Sequence, residues 1–303
     1  MPGIRAGFLA VIGALLISSP ASAQEERAPD TDSNIVVTGR TEEPTGRDVS
    51  RQARAITQTH NVYDAPLARF EDRLCPGVIG LLPQHAAMII DRIRYHAEQL
   101  GMWLTEDDGT CSPNLIVAFV TDGKAELAAI EDEHPDLFQD MQPHEVRELL
   151  AEDGPVRVWT TVQERTRDGA PVPRAQSLLN PPVVNMWMAH SKIYLATRRD
   201  IASVIVLFDL QKMKGKTLTQ LADYATMRGL ARTRPVDGEG QPMDTILALF
   251  DGDAAPPSEM TTFDHAYLAA LYDGIPNIPG ITKVLGVNRQ LRIQEREAAQ
   301  AAE

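Results

Sequence analysis

The amino-acid sequence predicts an α+β fold in which helices pack against a single mixed sheet. Short apolar runs that are rich in branched residues predict strands, and "NLIVAFV" at 114–120 is the clearest of them. Longer segments with apolar residues at helical spacing predict helices. These two kinds of segment do not alternate strictly, as they would in a parallel βαβ fold, so a mixed sheet is favoured.

Residues 1–23 have the features of a secretory signal peptide. The basic residue Arg5 precedes an apolar run over 6–17, and Ala-Ser-Ala at 21–23 forms an A-x-A cleavage site. The run is too short to span a bilayer. We therefore expect a secreted protein of the periplasm or the periphery of the outer membrane, whose mature chain starts at Gln24 and has no membrane span. The alternative is an uncleaved N-terminal anchor.

Residues 24–58 are polar, charged and nearly free of aromatic residues, which predicts a disordered leader. Within it, "NIVVTGR" at 34–40 resembles the leader of TonB-dependent outer-membrane receptors. The likeness ends with this stretch, and the chain is too short for a receptor's barrel and plug, so it implies no receptor function. The stretch is either a short extended segment or a docking strand that adds to the edge of a partner's sheet.

The acidic composition excludes two classes of partner. The formal net charge is −13 for the whole chain, and it becomes −14 when Arg5 leaves with the signal peptide. An acidic chain repels phosphate backbones, so we expect no nucleic-acid partner. The sequence also lacks a basic amphipathic helix for anionic lipid. An apolar content of 43% is enough for a folded core.

An α+β globular domain is expected over 59–285. Its first predicted helix covers 84–100. Apolar residues recur in this helix at steps of four and three, which places them on one face. They are Ala86, Ile90, Ile93, Ala97 and Leu100. Export places Cys75 and Cys111 in an oxidising compartment, where a disulfide is the expected state. The alternative is two separate buried thiols.

The second half of the chain contributes the remaining predicted elements. "ASVIVLFDL" is apolar on both faces, which predicts a central strand. "KIYLATR", just before it, predicts a further strand. The other predicted elements are helices near 123–132, 143–152, 243–250 and 262–272, a strand over 156–164, and a polar C-terminal helix or tail over 286–303.

No common cofactor or metal motif is complete, so we expect neither a cofactor nor a metal. "GKT" at 215–217 lacks the earlier glycine of a phosphate-binding loop, because Leu210 stands there. None of the seven histidines forms an H-x-x-x-H pair. His96 and Asp91 are expected on an exposed helix flank, and His265 is expected in helix-capping chemistry. A site assembled from histidines that are distant in sequence is the alternative.

"TLTQLADYATMRGLAR" at 217–232 predicts a helix that presses closely against the sheet. Thr217 and Gln220 have the spacing of a capping box, which marks the first turn. One face of the helix carries apolar and small residues, which permit a close approach. They are Leu218, Leu221, Ala222, Ala225 and Gly229.

The same helix has the spacing of a zinc-protease helix without its metal ligands. In such helices histidines hold the zinc, a glutamate activates the bound water, and a glycine lets the chain turn. Here Asp223 stands at the glutamate position and Gly229 is kept. Ala222, Thr226 and Arg232 stand where the three histidines would be, so Asp223 would have no metal-bound water to activate.

Two downstream segments, "PMDTILALFD" and "MTTFDHAYLAALYDG", resemble a secreted bacterial family of unknown function whose C-terminal half is zincin-like. "PNLIVAFV" is similar to the family's early strand, so the likeness covers roughly 85–280. It implies a peptidase-like scaffold that has lost its metal site, whereas an unrelated α+β fold is the alternative. The matching downstream residues are Ile246, Phe250, Met260, Thr261, Asp264, Leu268, Leu271 and Tyr272.

We therefore expect an exported binding protein without catalytic activity, whose partner is a protein or peptide of the cell envelope. Asp223, Tyr224 and Arg228 are candidate residues of a binding cleft, with Asp223 as a weak catalytic candidate. The alternative for all three is a solvated helix flank. A second functional hypothesis is a hydrolase, specifically a peptidase, with a non-standard site of scattered His and Asp residues. A third is a structural envelope protein without a pocket.

Overall fold

The computed structural model describes residues 43–302 with several internal gaps. The gaps are 60, 107–108, 139–140, 142, 174–178, 180–182, 185, 187–190, 192, 237–239 and 253–254. The predicted signal peptide and the "NIVVTGR" segment lie outside the described residues. None of the described helices combines the length and the apolarity that a bilayer span requires.

The described residues form one mixed sheet with the strand order β1-β2-β4-β3. The strands are β1 Pro76–Ile79, β2 Leu115–Val120, β3 Val156–Thr166 and β4 Thr197–Asp209. Strand β2 runs parallel to both β1 and β4, whereas β3 is antiparallel to β4 and forms one edge of the sheet. The predicted α+β class with a single mixed sheet is confirmed, and so is the central place of the apolar strand β4.

Seven helices are described in this part of the chain. They are α1 Gly46–Ile56, α2 Pro83–Gln99, α3 Gly123–Glu133, α4 Pro143–Ala151, α5 Leu218–Leu230, α6 Thr262–Tyr272 and α7 Gly280–Ala301. The predictions for α2 to α6 are confirmed to within a few residues. The further helix expected near 243–250 is wrong, because this segment contains only a 3-10 turn over Ile246–Ala248.

Helix α1 corrects the prediction of a disordered leader up to residue 58. Thr45 begins this helix through a capping box with Asp48, and α1 packs against α7. Its few apolar residues are spaced by three and four, so they form one buried face although the segment is mostly polar. These buried apolar residues are Val49, Ala53 and Ile56.

Two other boundaries differ from the sequence prediction. "KIYLATR" does not form a separate strand, because only its last two residues belong to the long strand β4. Helix α7 crosses the expected boundary between a domain ending at 285 and a tail starting at 286. Its first turns belong to the core, since Val284, Val287 and Leu291 are buried.

The sheet separates two apolar cores of unequal size. On β4, Val206 and Phe208 contribute to the larger core, which also contains residues of α1, α2, α5, α6 and α7. Leu207, between them, points to the opposite face and joins Trp159 of β3 and Leu149 of α4 in the smaller core. Because side chains alternate along a strand, α5 and α4 lie on opposite faces of the sheet.

The predicted disulfide between Cys75 and Cys111 is confirmed, with a Cα–Cα distance of 6.2 Å. Cys75 lies directly before β1, and Cys111 lies shortly before β2. The bridge therefore joins the starts of two adjacent parallel strands. The alternative of two separate thiols is excluded.

Candidate binding groove beside strand β3

Helix α5, which carries all of the predicted site residues, is buried along most of its length. Every residue from Gln220 to Leu230 is buried, which contradicts the alternative of a solvated flank. The predicted capping box is present, because the side chains of Thr217 and Gln220 each bond to the other's backbone amide. A methyl group built on Gly229 would lie 2.9 Å from Leu115 of β2, so glycine permits this approach.

Asp223 is the centre of a buried ionic cluster. Nε and Nη2 of Arg92 donate to its two carboxylate oxygens at 2.7 and 2.9 Å. The Met260 amide donates to Oδ2 at 2.6 Å, and Nε2 of His96 donates to Oδ1 at 2.7 Å. The Asp223 side chain is 0% exposed. Both oxygens are therefore occupied by donors from α2 and from the segment before α6.

These hydrogen bonds fix the charge of Asp223. Burial alone would raise the pKa of Asp223, but hydrogen bonds from His96, Arg92 and the Met260 amide outweigh burial and lower the pKa to about 2. The same contact raises the pKa of Arg92. A carboxylate with so low a pKa is a weak base, so this arrangement suits a fixed counter-ion better than proton transfer.

His96 is buried, which corrects the expectation that it lies on an exposed flank. It is 2% exposed, and its Nδ1 has no hydrogen-bond partner among the described residues. The nearby ring of His265 lies 5.2 Å away between centroids, and burial lowers the pKa of His265. The buried face of α2 contains the predicted Ile93 and Ala97, but it also includes Ile89 and His96, while Ile90 is only half-buried.

The three positions that correspond to zinc ligands hold no metal-binding group. Ala222 and Thr226 are buried, and the Thr226 hydroxyl donates to the Ala222 carbonyl. Arg232 forms an ion pair with Glu145 of α4. The described residues contain no cluster of three or more His, Cys, Asp or Glu side chains that could hold a metal ion.

Tyr224 and Arg228 lie together, whereas Asp223 lies apart from them. Nη1 of Arg228 donates to the Tyr224 hydroxyl at 2.9 Å, and the Tyr224 ring meets Phe250 edge-on. Arg228 is 8% exposed, and its Nε has no partner within the described part of the chain. The proposed cleft of three residues is therefore split between two places on α5.

Arg228 lines a groove of about 330 Å³ along the outer edge of β3, which we call the β3 groove. Its floor is formed by residues 156–160 of β3. Three glutamates of α4 and the segment after it line one side, the glutamate side: Glu145, Glu148 and Glu152. Three arginines of α5 and the segment after it line the other, the arginine side: Arg228, Arg232 and Arg234.

The floor of the β3 groove presents main-chain hydrogen-bonding groups. The amide of Asp209 donates to the Pro155 carbonyl, so these two residues form a hydrogen-bonded pair between β4 and the start of β3. In an antiparallel ladder, hydrogen-bonded pairs alternate with pairs whose main-chain groups point outwards. Val156, Val158 and Thr160 therefore direct their amides and carbonyls away from β4. The far end of β3 is bridged on that side, where Arg165 pairs with Pro171, but no described strand pairs with residues 156–160 there. An unpaired edge of this kind can accept another strand.

Comparisons with known proteins provide no relative for this chain. No family model, no curated protein and no solved structure matches it. The groove and the Asp223 cluster are therefore the features from which a function follows.

The sequence proposed Arg228 as a candidate binding residue but did not predict the groove that it lines. The glutamate side comes from α4, about 80 positions earlier, as the separation of 87 residues between Glu145 and Arg232 shows. The one available signal was the alternation in β3, which predicts a strand with one exposed face but does not say that the strand lies at an edge.

Proposed function

We propose that this chain is an exported, non-catalytic binding protein that takes up an extended segment of a cell-envelope protein as an additional strand beside β3. The observation that carries this proposal is the β3 groove, whose floor offers outward-facing amides and carbonyls. Main-chain hydrogen bonds to such an edge provide affinity, and the flanking side chains provide specificity.

The Asp223 cluster supports a binding role over catalysis. Asp223 and His96 form an aspartate–histidine pair, as many hydrolases do, but the two side chains are 0% and 2% exposed. A substrate cannot reach them without unfolding the cluster. The hydrolase alternative therefore has no accessible general base in this part of α5.

The peptidase-like scaffold remains part of the proposal. It is supported by three features of α5. The helix follows the central strand β4, it keeps Gly229 against the sheet, and it has no zinc-binding side chain at 222, 226 or 232. The disulfide near β1 and β2 supports export, because disulfides persist in oxidising compartments.

A proline substitution in β3 tests strand addition. Val158→Pro removes the outward-facing amide, which β4 does not use, and edge strands tolerate proline at such positions. Val158→Ala is the matched control, because it also removes the valine side chain but keeps the amide. The probe is a displayed library of random ten-residue peptides, selected on the mature wild-type protein and then measured by fluorescence polarisation.

We expect selected peptides to bind wild type and Val158→Ala alike, and to lose about tenfold or more in affinity for Val158→Pro. The loss of one main-chain hydrogen bond, about 1.4 kcal/mol, accounts for a tenfold change. Equal binding by Val158→Pro and Val158→Ala would show that peptides do not pair with β3. A selection that yields no binding peptide would reject the proposed function.

A further inference from the structure

The two sides of the β3 groove lie on opposite faces of the sheet, and they carry opposite charges. The arginine side belongs to α5, whose residues pack in the larger core. The glutamate side belongs to α4, whose Leu149 packs in the smaller core on the other face. A strand bound on the groove floor would direct alternate side chains towards these two sides.

The arginine side has more positive charge than its described partners neutralise. Nε of Arg228 and Nε of Arg232 are buried and have no hydrogen-bond partner among the described residues. Arg199, close to Arg232, has its pKa lowered by burial and by the charge of Arg232. Because Arg228, Arg232 and Arg234 line the groove, their guanidinium groups are suited to an acidic group from outside.

The glutamate side offers the complementary chemistry. Glu148 and Glu152 are exposed at the rim, and Glu145 is half-buried. Arg157 lies beneath them, 1% exposed, and its Nη2 donates to the Glu152 carbonyl, so it belongs to the floor and not to the rim. Carboxylates at the rim are suited to a lysine or arginine side chain of a ligand.

Among the described residues, an ion pair connects the two sides across the groove. Nη2 of Arg232 lies 3.3 Å from Oε1 of Glu145, and the two side chains are 14% and 19% exposed. A strand lying between them would separate this pair. Its own acidic and basic side chains would then replace the lost contact with two ion pairs, one on each side of the groove.

We infer that the segment bound in the β3 groove has alternating acidic and basic side chains, with the acids facing the arginine side and the bases facing the glutamate side. This inference rests on the proposed strand addition beside β3 and names the class of segment that it selects. Alternation matters because a strand presents every second residue to the same side.

Two peptides of identical composition separate charge order from charge content. The first is an eight-residue fluorescein-labelled peptide in which three aspartates and three lysines alternate between terminal valines. The second has the same residues with the aspartates and the lysines in separate blocks. Both carry no net side-chain charge, so a difference in affinity reports on the order of the side chains. Binding is measured by fluorescence polarisation at low and high ionic strength.

We expect the alternating peptide to bind wild type at least fivefold more tightly than the block peptide, with a smaller difference at high salt. Arg232→Gln and Glu148→Gln should each reduce this preference below twofold. Glu148 is exposed, so Glu148→Gln is expected to fold even if Arg232→Gln destabilises the chain. Arg296→Gln, an exposed arginine of α7, is the matched control and should keep the preference.

Each result decides the inference. Equal affinity for the two peptides, or a preference that survives both Arg232→Gln and Glu148→Gln, overturns the charge pattern while strand addition remains supported by the Val158 variants. Binding of library peptides without binding of either designed peptide also overturns the pattern. If no peptide binds in any experiment, strand addition and the charge pattern are rejected together.

Discussion

Replacing Asp223 by asparagine tests whether the Asp223 cluster is structural. The pKa of Asp223 falls from the model-peptide value of 3.8 to about 2 in the folded chain. A shift of this size corresponds to about 2 kcal/mol of stability, because one unit is worth about 1.4 kcal/mol. The variant also leaves His96 without a charged acceptor and leaves Arg92 with Glu259 alone, so we expect a total loss of about 2–4 kcal/mol at pH 7.

The contribution of Asp223 to the free energy of unfolding should decrease at low pH. The folded pKa lies below the unfolded one, so the stabilisation from ionised Asp223 is fully present above the unfolded pKa. It is lost as the pH falls through about 2. About half of the linkage contribution should be gone at pH 3. The difference between wild type and Asp223→Asn should therefore shrink between pH 7 and pH 3.

Urea unfolding followed by tryptophan fluorescence measures both quantities, since the chain has three tryptophans. Asp153→Asn is the control, because Asp153 pairs with Lys124 on the exposed surface and its loss should leave the unfolding midpoint unchanged. Equal stability of Asp223→Asn and wild type at pH 7 would refute the structural role. A difference that stays constant down to pH 3 would refute the assignment of the low pKa.

Two further predictions concern the covalent bridge and the contact of α5 with the sheet. Cys75→Ser should destabilise the oxidised protein by roughly 3–4 kcal/mol, the chain-entropy value for a bridge with a separation of 36 residues, and reduction of wild type should produce the same shift in the urea midpoint. An unchanged urea midpoint for Cys75→Ser would contradict a stabilising role for the disulfide. Gly229→Ala should destabilise by about 1–3 kcal/mol, because the added methyl group would meet Leu115 at 2.9 Å. Gly286→Ala in α7, whose added methyl group has its nearest neighbour at 3.5 Å, should stabilise by about 0.5–1 kcal/mol, and equal changes in melting temperature for the two variants would refute the close-packing argument.

The elements that sequence reasoning predicted well are those whose signals are local. The capping box of Thr217 and Gln220 needs only four consecutive residues, and the structure contains both of its hydrogen bonds. The apolar run of β2 and the alternation of β3 are likewise visible within ten residues or so. Helix α1 was missed because its buried face consists of a few apolar residues in a polar segment, and tertiary contacts such as those with α7 stabilise that face.

The sequence supplied candidate residues for a site but not the geometry around them. Asp223 was identified by its spacing within α5, yet its partners Arg92 and His96 lie 131 and 127 positions earlier in the chain. A charged residue on a helix is usually solvated, so the sequence favoured exposure for Asp223 and His96. Burial became favourable only because the fold supplies several donors to one carboxylate.

The sequence by itself determined most of the strands and helices, the disulfide pair and the absence of zinc ligands at 222, 226 and 232, because each depends on residue identity or on short-range spacing. Only the tertiary structure decided which strand lies at the edge and which charges face each other across it. The pairing of Glu145 with Arg232 joins α4 to the segment after α5, and these two helices lie on opposite faces of the sheet. Such contacts depend on how elements pack over long loops, and the energies that select one packing are not encoded in any single segment.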